Sequence, residues 1–189
     1  MRRLEEFILE KLNVSKIRKK MPKTKEELVK IMIEEIKENG PDCSLNHIDV
    51  SNITDMSYLF EGGSFRVGND SHPILSEFDG DISEWNVSNV TDMKFMVDNC
   101  KYTGKNGDIS DWDVSNVTLM TGMFYNSKYN GDISNWDVPN VKDMILMFYN
   151  SSFNGDISNW DVSNIKYMSN MFVRSELADN PPAWYYKKR

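Results

Sequence analysis

The apolar residues of the first 40 positions recur at helical spacing. Those of the first helix are Leu4, Phe7, Ile8 and Leu12. A second helix is predicted from "TKEE", where Thr24 stands three residues before Glu27 as in a capping box. Its apolar face is Leu28, Ile31, Met32 and Ile36, and "NG" followed by Pro41 ends it. Residues 1–43 are therefore predicted to form a helical N-terminal cap. A basic membrane-surface or partner-binding helix is the alternative, but the apolar stripes are short.

From about residue 44 the apolar pattern becomes a repeat. Tryptophans follow one another at steps of 27, 24, 24 and 24 residues, at Trp85, Trp112, Trp136, Trp160 and Trp184. Methionines keep the same steps at Met93, Met120, Met144 and Met168. An earlier copy, "LNHIDVSNITDMSYLF", has Ile48 in the tryptophan position, and the wider gap before Trp85 indicates an insertion near 66–77. A fixed period of this length predicts repeats that stack and bury their apolar sides on one another.

The spacing inside one unit predicts its elements. Ile133, Trp136 and Val138 follow the leucine-rich-repeat pattern L-x-x-L-x-L, which predicts a short strand paired in parallel with the next repeat. Met144 and Met147 lie three residues apart, as in a short helical turn that faces inward. The predicted fold class is an α/β repeat: a leucine-rich-repeat-like solenoid of short parallel strands and short helical turns.

Three regions are expected along the chain. The helical cap at 1–43 precedes a solenoid of about five repeats at 44–175, and residues 176–189 form a degenerate capping repeat. Trp184 keeps the 24-residue step there, while Pro181 and Pro182 cannot donate main-chain hydrogen bonds to a further strand.

Charge narrows the classes of partner. The net charge is −7, but residues 1–40 hold 11 Lys/Arg and 8 Asp/Glu, whereas residues 41–180 hold 8 and 21. A segment this acidic is expected to bind nucleic acid poorly and to favour binding to a protein with a basic surface. No stretch has the length of a transmembrane segment, and no signal-peptide cleavage site is visible, which predicts a cytoplasmic protein.

Several residues recur in every repeat and could carry chemistry. Each set has a simpler structural interpretation: the Met pairs fill the core rather than bind copper, and the tryptophans line the interior rather than offer stacking surfaces. The acids that follow glycine are predicted to hydrogen-bond the turn backbone rather than bind calcium. They are Asp81, Asp108, Asp132 and Asp156. An asparagine ladder at the bend is predicted from Asn89, Asn116, Asn140 and Asn164.

No catalytic set is visible in the sequence. Two cysteines and two histidines give neither a disulfide framework nor a zinc spacing, and Cys100 occupies a position held by serine in other repeats. No serine is paired with histidine and acid in a shared motif. The expectation is a protein that is not an enzyme and has no metal or cofactor.

The residues on either side of each tryptophan are expected to point away from the core. They form a ladder of acids and amides on the predicted strand face, which is the usual binding surface of such repeats. This hypothesised binding face comprises His47, Asp49, Glu84, Asn86, Asp111, Asp113, Asn135, Asp137, Asn159 and Asp161. A purely solvated face is the alternative interpretation. The inserted segment at 66–77 is a second candidate surface.

The consensus F-N-G-D-I-S-N-W-D-V-S-N-V-x-x-M-x-x-M-F resembles a known repeat. It is similar to the mycoplasma-type lipoprotein repeat of the BspA-type leucine-rich-repeat surface proteins of bacteria. Pro139 matches the proline of their I-P-x-x-V segment, and Val97 to Cys100 resemble their A-F-x-x-C segment. The resemblance covers roughly residues 44–175.

The resemblance implies a right-handed solenoid that binds proteins. Family members are often displayed on cell surfaces, although this sequence shows no leader or anchor. The expected function is therefore a non-catalytic scaffold that binds another macromolecule, most readily a protein. The alternative is a structural component of a homo-oligomer or of a phage or cell-surface assembly.

Overall fold

The computed structural model describes residues 20–62 and 72–187. Within these ranges it contains three helices, α1 (Lys25–Asn39), α2 (Pro73–Ser76) and α3 (Ala183–Lys187). The predicted helix over residues 4–12 and residues 66–71 of the insertion lie outside the described residues.

Helix α1 confirms the prediction made from its capping box. The hydroxyl of Thr24 accepts a hydrogen bond from the Glu27 N–H at 3.3 Å, and the Glu27 carboxylate accepts one from the Lys23 N–H at 2.7 Å. The helix ends at Gly40, whose φ of 87° few other residues adopt. Its apolar face is buried through Leu28, Met32 and Ile36, with Ile31 partly buried. These residues belong to the same buried cluster as the first repeats.

The predicted leucine-rich-repeat solenoid of short parallel strands is wrong. The described residues contain no strand and no sheet, only isolated parallel bridges such as Asp92 with Leu119 and Leu119 with Asp143. The segment predicted as a strand closes a turn instead, because the Trp136 N–H donates to the Ile133 carbonyl three residues back at 3.1 Å. The Met pairs also lie in turns rather than in short helices, with the Met147 N–H donating to the Met144 carbonyl at 3.2 Å.

Successive repeats are nevertheless joined by a regular set of main-chain hydrogen bonds along the M-x-x-M-F segments. Every second residue of one repeat donates its N–H to a carbonyl of the next. Between two central repeats the bonds run from Met120 to Asp143, Gly122 to Ile145, Phe124 to Met147 and Asn126 to Tyr149, at 2.8 to 2.9 Å. All these N–H groups point toward the C-terminal end of the array, and the carbonyls point toward the N-terminal end. We call this set of bonds the turn ladder.

Positive φ angles explain why the turn ladder is not a β-ladder. One position of each repeat lies in the left-handed region whatever residue occupies it, at Tyr58, Phe95, Gly122, Leu146 and Asn170. A second such position holds Asn99, Asn126, Asn150 and Arg174. A residue in the left-handed region is not extended, so the chain turns there. The N–H groups between the ladder donors close these turns, since Met123 donates to Met120 and Tyr125 donates to Gly122.

The core is a stack of apolar layers contributed by consecutive repeats. The rings of Phe124 and Phe148 are 5.5 Å apart, and those of Phe148 and Phe172 are 5.8 Å apart, with planes within 3° of parallel. The predicted inward Met pairs are confirmed: all are fully buried except Met168, which is partly exposed in the last repeat. Stacking of similar side chains therefore sets the spacing between repeats.

Candidate binding surface

The tryptophans lie in the interior, which confirms that prediction. They lie beneath the candidate surface and hold its turns in place. Four of the five are buried, and Trp184 is partly buried. Each indole N–H reaches back to a main-chain carbonyl of the preceding repeat, as in the 3.0 Å bond from Trp136 to Ile109 and the 3.1 Å bond from Trp160 to Ile133. A buried indole N–H is thus satisfied, and each ring is fixed in orientation.

The predicted binding residues flank these anchored rings. The eight from Glu84 to Asp161 are exposed, and His47 and Asp49 are half-buried. In the last two complete repeats the rings that they flank, Trp136 and Trp160, are 6.5 Å apart and nearly parallel. The flanking residues therefore follow one another in register along the array. Their role in binding stays a prediction.

The residue after each tryptophan also orders the backbone. The carboxylate of Asp113 accepts a hydrogen bond from the Ser115 N–H at 3.1 Å, and Asp161 accepts one from Ser163 at 2.9 Å. Asn86 makes the same bond to Ser88 through its amide oxygen. These residues form Asx turns that hold the exposed surface in one conformation.

Asp137 is the exception, because proline replaces serine two residues later. Pro139 has no N–H to donate, so this carboxylate does not make the main-chain bond that its equivalents make. The Pro139 carbonyl is still used, since it accepts a hydrogen bond from the Asn164 side chain at 2.9 Å. Asp137 therefore lies on the surface without a role in closing its turn.

The residue before each tryptophan is held less tightly. His47 is 3.2 Å from the Glu35 carboxylate of α1, which ties this end of the face to the helical cap. Glu84 is positioned through its main-chain N–H, which donates to the Asn46 side chain at 3.0 Å. Asp111, Asn135 and Asn159 are exposed.

The predictions for the acids that follow glycine and for the asparagine ladder are confirmed. Asp132 and Asp156 accept main-chain hydrogen bonds from the serines two residues on, at 2.8 and 2.9 Å. The asparagine side chains each donate to a main-chain carbonyl of the preceding repeat, at 2.8 or 2.9 Å. Both sets connect the turns that carry the candidate face.

The electrostatics of the acids follow from these bonds. Hydrogen bonds from the Ser115 hydroxyl and N–H hold the pKa of Asp113 below its usual value. The N–H and hydroxyl of Ser134 and of Ser158 lower the pKa of Asp132 and Asp156 in the same way. These carboxylates are therefore ionised at neutral pH, and Asp113 contributes its negative charge to the candidate face.

Two observations concern possible nucleophile and metal sites in the described part of the chain. Burial raises the pKa of the Cys100 thiol to about 12, so the sulfur is a packing group rather than a thiolate nucleophile. No group of three or more His, Cys, Asp or Glu residues within 20–62 and 72–187 could hold a metal ion. None of the helices in these ranges is long and apolar enough to cross a membrane.

A second column of side chains, made of aromatic rings along the turn ladder, was not predicted from the sequence. Tyr58 stacks on Phe95 at 5.3 Å, and Tyr125 stacks on Tyr149 at 5.0 Å, with the Arg174 guanidinium 5.9 Å from the Tyr149 ring centre. The three tyrosines are half-buried. Each tyrosine ring is therefore stacked against a ring of the neighbouring repeat. The tyrosine that follows "MF" in two repeats was the available clue.

Comparison with known proteins agrees with the repeat. Two overlapping stretches, residues 28–126 and 70–185, match the family described as "Mycoplasma protein of unknown function, DUF285". The chain belongs to the DUF285 family. No curated protein and no solved structure matched this DUF285 protein. The family match covers the part of the chain that carries the tryptophan and methionine repeats.

Proposed function

We propose that this protein is a non-catalytic repeat scaffold that binds another protein through the exposed acids and amides flanking its tryptophans. The observation that carries the proposal is the exposed, negatively charged column on a preorganised backbone. The turns are closed by the Asx bonds of residues such as Asp113 and Asp161, and the rings beneath them are anchored. A rigid surface loses little conformational entropy on binding.

Charge indicates the chemistry of the partner. Asp137 and Asp161 follow rings that are 6.5 Å apart, which is shorter than the Debye length of about 8 Å at physiological salt. The two acids therefore hold equivalent places in adjacent repeats, and their negative charges belong to the same column. A partner with a basic surface would be attracted to this column, so lysine and arginine on the partner are the expected contacts.

The resemblance of the repeat to bacterial surface proteins of the BspA type supports a protein-binding role. That support concerns the repeated exposed positions and does not depend on a leucine-rich-repeat architecture. It also gives the cell surface as one compartment in which the partner could be found.

The structure allows the face to be reversed in charge without breaking its turns. Glu84, Asp111 and Asp137 are exposed, and no hydrogen bond made by their carboxylates was found among the described residues. Changing all three to lysine should preserve folding. A matched control changes Glu34, Asp42 and Asp179 to lysine, since these acids are also exposed but are not residues of the face.

The proposal is tested in two steps. The immobilised protein captures its partner from lysate of the native host, and the affinity for the captured protein is then measured by titration. Wild type and the control variant should bind the same basic protein, with affinity that falls as salt increases. The Glu84, Asp111, Asp137 variant should lose it. Equal affinity and equal salt dependence for all three proteins would refute the assignment of this face.

A further inference from the structure

Among the described residues, the last donors of the turn ladder have no further repeat stacked on them. In the preceding repeat the N–H groups of Met144, Leu146, Phe148 and Asn150 donate to carbonyls between Tyr167 and Val173, at 2.8 to 3.1 Å. The equivalent donors of the last repeat are the N–H groups of Met168, Asn170, Phe172 and Arg174. No acceptor for these four donors was found among residues 20–62 and 72–187. We call residues 166–174 the terminal edge.

The described residues after Ser175 contact the tryptophan side of the last repeat. The Trp184 indole N–H donates to the Ile157 carbonyl at 2.9 Å, and the Tyr185 ring packs edge-on against Phe172 at 5.0 Å. Residues 176–187 hold no M-x-x-M-F segment. Among the described residues the final repeat is thus contacted on its tryptophan side, and its turn ladder is left open.

Side-chain exposure confirms that the terminal edge is uncovered. Tyr167 is 58% exposed and Val173 is 38% exposed, and both are among the few large apolar residues on the described surface. Met168 is partly exposed, whereas its equivalent Met144 is fully buried. Apolar side chains and outward main-chain donors therefore occupy the same strip.

The charged side chains within the strip are both positive, although the protein is acidic. Between Val162 and Ser175 the only charged residues are Lys166 and Arg174, both exposed, although the chain as a whole carries −7. The outward N–H groups add partial positive charge, because the aligned peptide groups of the turn ladder all point toward this end. An incoming chain must therefore supply acceptors and negative charge.

We propose that the terminal edge binds an extended acidic peptide segment of a partner protein. The carbonyls of the segment accept hydrogen bonds from the open N–H row, continuing the ladder that joins the repeats. Its carboxylates pair with Lys166 and Arg174, and an apolar side chain covers Tyr167 and Val173. This surface differs from the acidic face by location and by sign, so its failure would leave the proposed function untouched.

Two labelled peptides of equal length test the proposal, one of glutamate, valine and serine and one with lysine in place of each glutamate. The acidic peptide should bind the full chain and slow the hydrogen exchange of the amides of residues 168–174, and the basic peptide should not. Changing Lys166 and Arg174 to glutamate should weaken binding by about tenfold or more. Changing Lys30 and Lys128, which are exposed elsewhere, should leave it unchanged.

A second variant, Val173→Asp, alters the strip without touching either cation and should also weaken binding of the acidic peptide. Circular dichroism and thermal melting establish that each variant is folded. Equal binding of both peptides, no binding of the acidic one, or protection of other amides would overturn the proposal. So would protection of residues 168–174 that appears without peptide and increases with protein concentration, since the occupant would then be a second copy.

Discussion

Two buried tyrosines at equivalent positions provide a matched test of how the core handles polar groups. The Tyr102 hydroxyl donates to the Gly107 carbonyl at 3.0 Å. The Tyr129 hydroxyl, one repeat later, is buried and has no hydrogen-bond partner among the described residues. Phe153 fills the same position in the following repeat. Removing the hydroxyl should therefore have opposite effects on the free energy of unfolding at the two sites.

The magnitudes follow from the two hydrogen-bonding states. Tyr102→Phe leaves the Gly107 carbonyl without this donor and should destabilise the protein by about 1 kcal/mol or more. Tyr129→Phe removes a buried hydroxyl that carries a desolvation penalty, and should stabilise by about 1 kcal/mol. Since ~1 kcal/mol moves the Tm of a chain of this size by roughly 2–4 °C, the two variants should differ by roughly 4–8 °C.

Urea unfolding followed by circular dichroism measures both variants against wild type, with equal m-values required for the comparison. Burial raises the pKa of both phenols, so the native state keeps them protonated while the unfolded chain releases their protons near pH 10. The stability that the protonated phenols provide is thus complete below that pH and is lost as the pH rises above it. Tyr129→Phe should lose less stability than wild type over this alkaline range. A Tyr129→Phe variant that is destabilised as much as Tyr102→Phe would refute the reasoning.

Three further perturbations have defined outcomes. Gly122→Ala should destabilise by about 2–4 kcal/mol in urea unfolding, because its φ is +57° and a Cβ would overlap the Phe95 ring. Trp136→Phe should cost about 2–3 kcal/mol through lost packing and a lost indole hydrogen bond, and Trp184→Phe should cost less in the same assay because that ring is partly exposed. The lowered pKa of Asp113 contributes stability above about pH 4, and this contribution is lost as the pH falls. Asp113→Asn should therefore make the free energy of unfolding depend less on pH in the acid range. An unchanged dependence would contradict this.

The candidate face was predictable in outline because its residues are set by local spacing. Each exposed acid or amide neighbours a tryptophan whose 24-residue step already marked it as buried. The Asx bonds of Asp113 and Asp161 are also local, spanning two residues. The contact between His47 and Glu35 could not be predicted, because it depends on how α1 crosses the first repeat.

By itself, the sequence determined which positions of each repeat are apolar and where the repeats and α1 begin, since these depend on local periodicity and capping. Only the tertiary structure decided that the repeats are joined through turns rather than strands. One left-handed position is held by tyrosine, phenylalanine, glycine, leucine and asparagine in different repeats, so the residue type does not predict it. The hydrogen bonds that select this conformation come from the next repeat. The same dependence exposes Met168 and buries Met144, because the two methionines share a motif and only one has a neighbouring repeat above it.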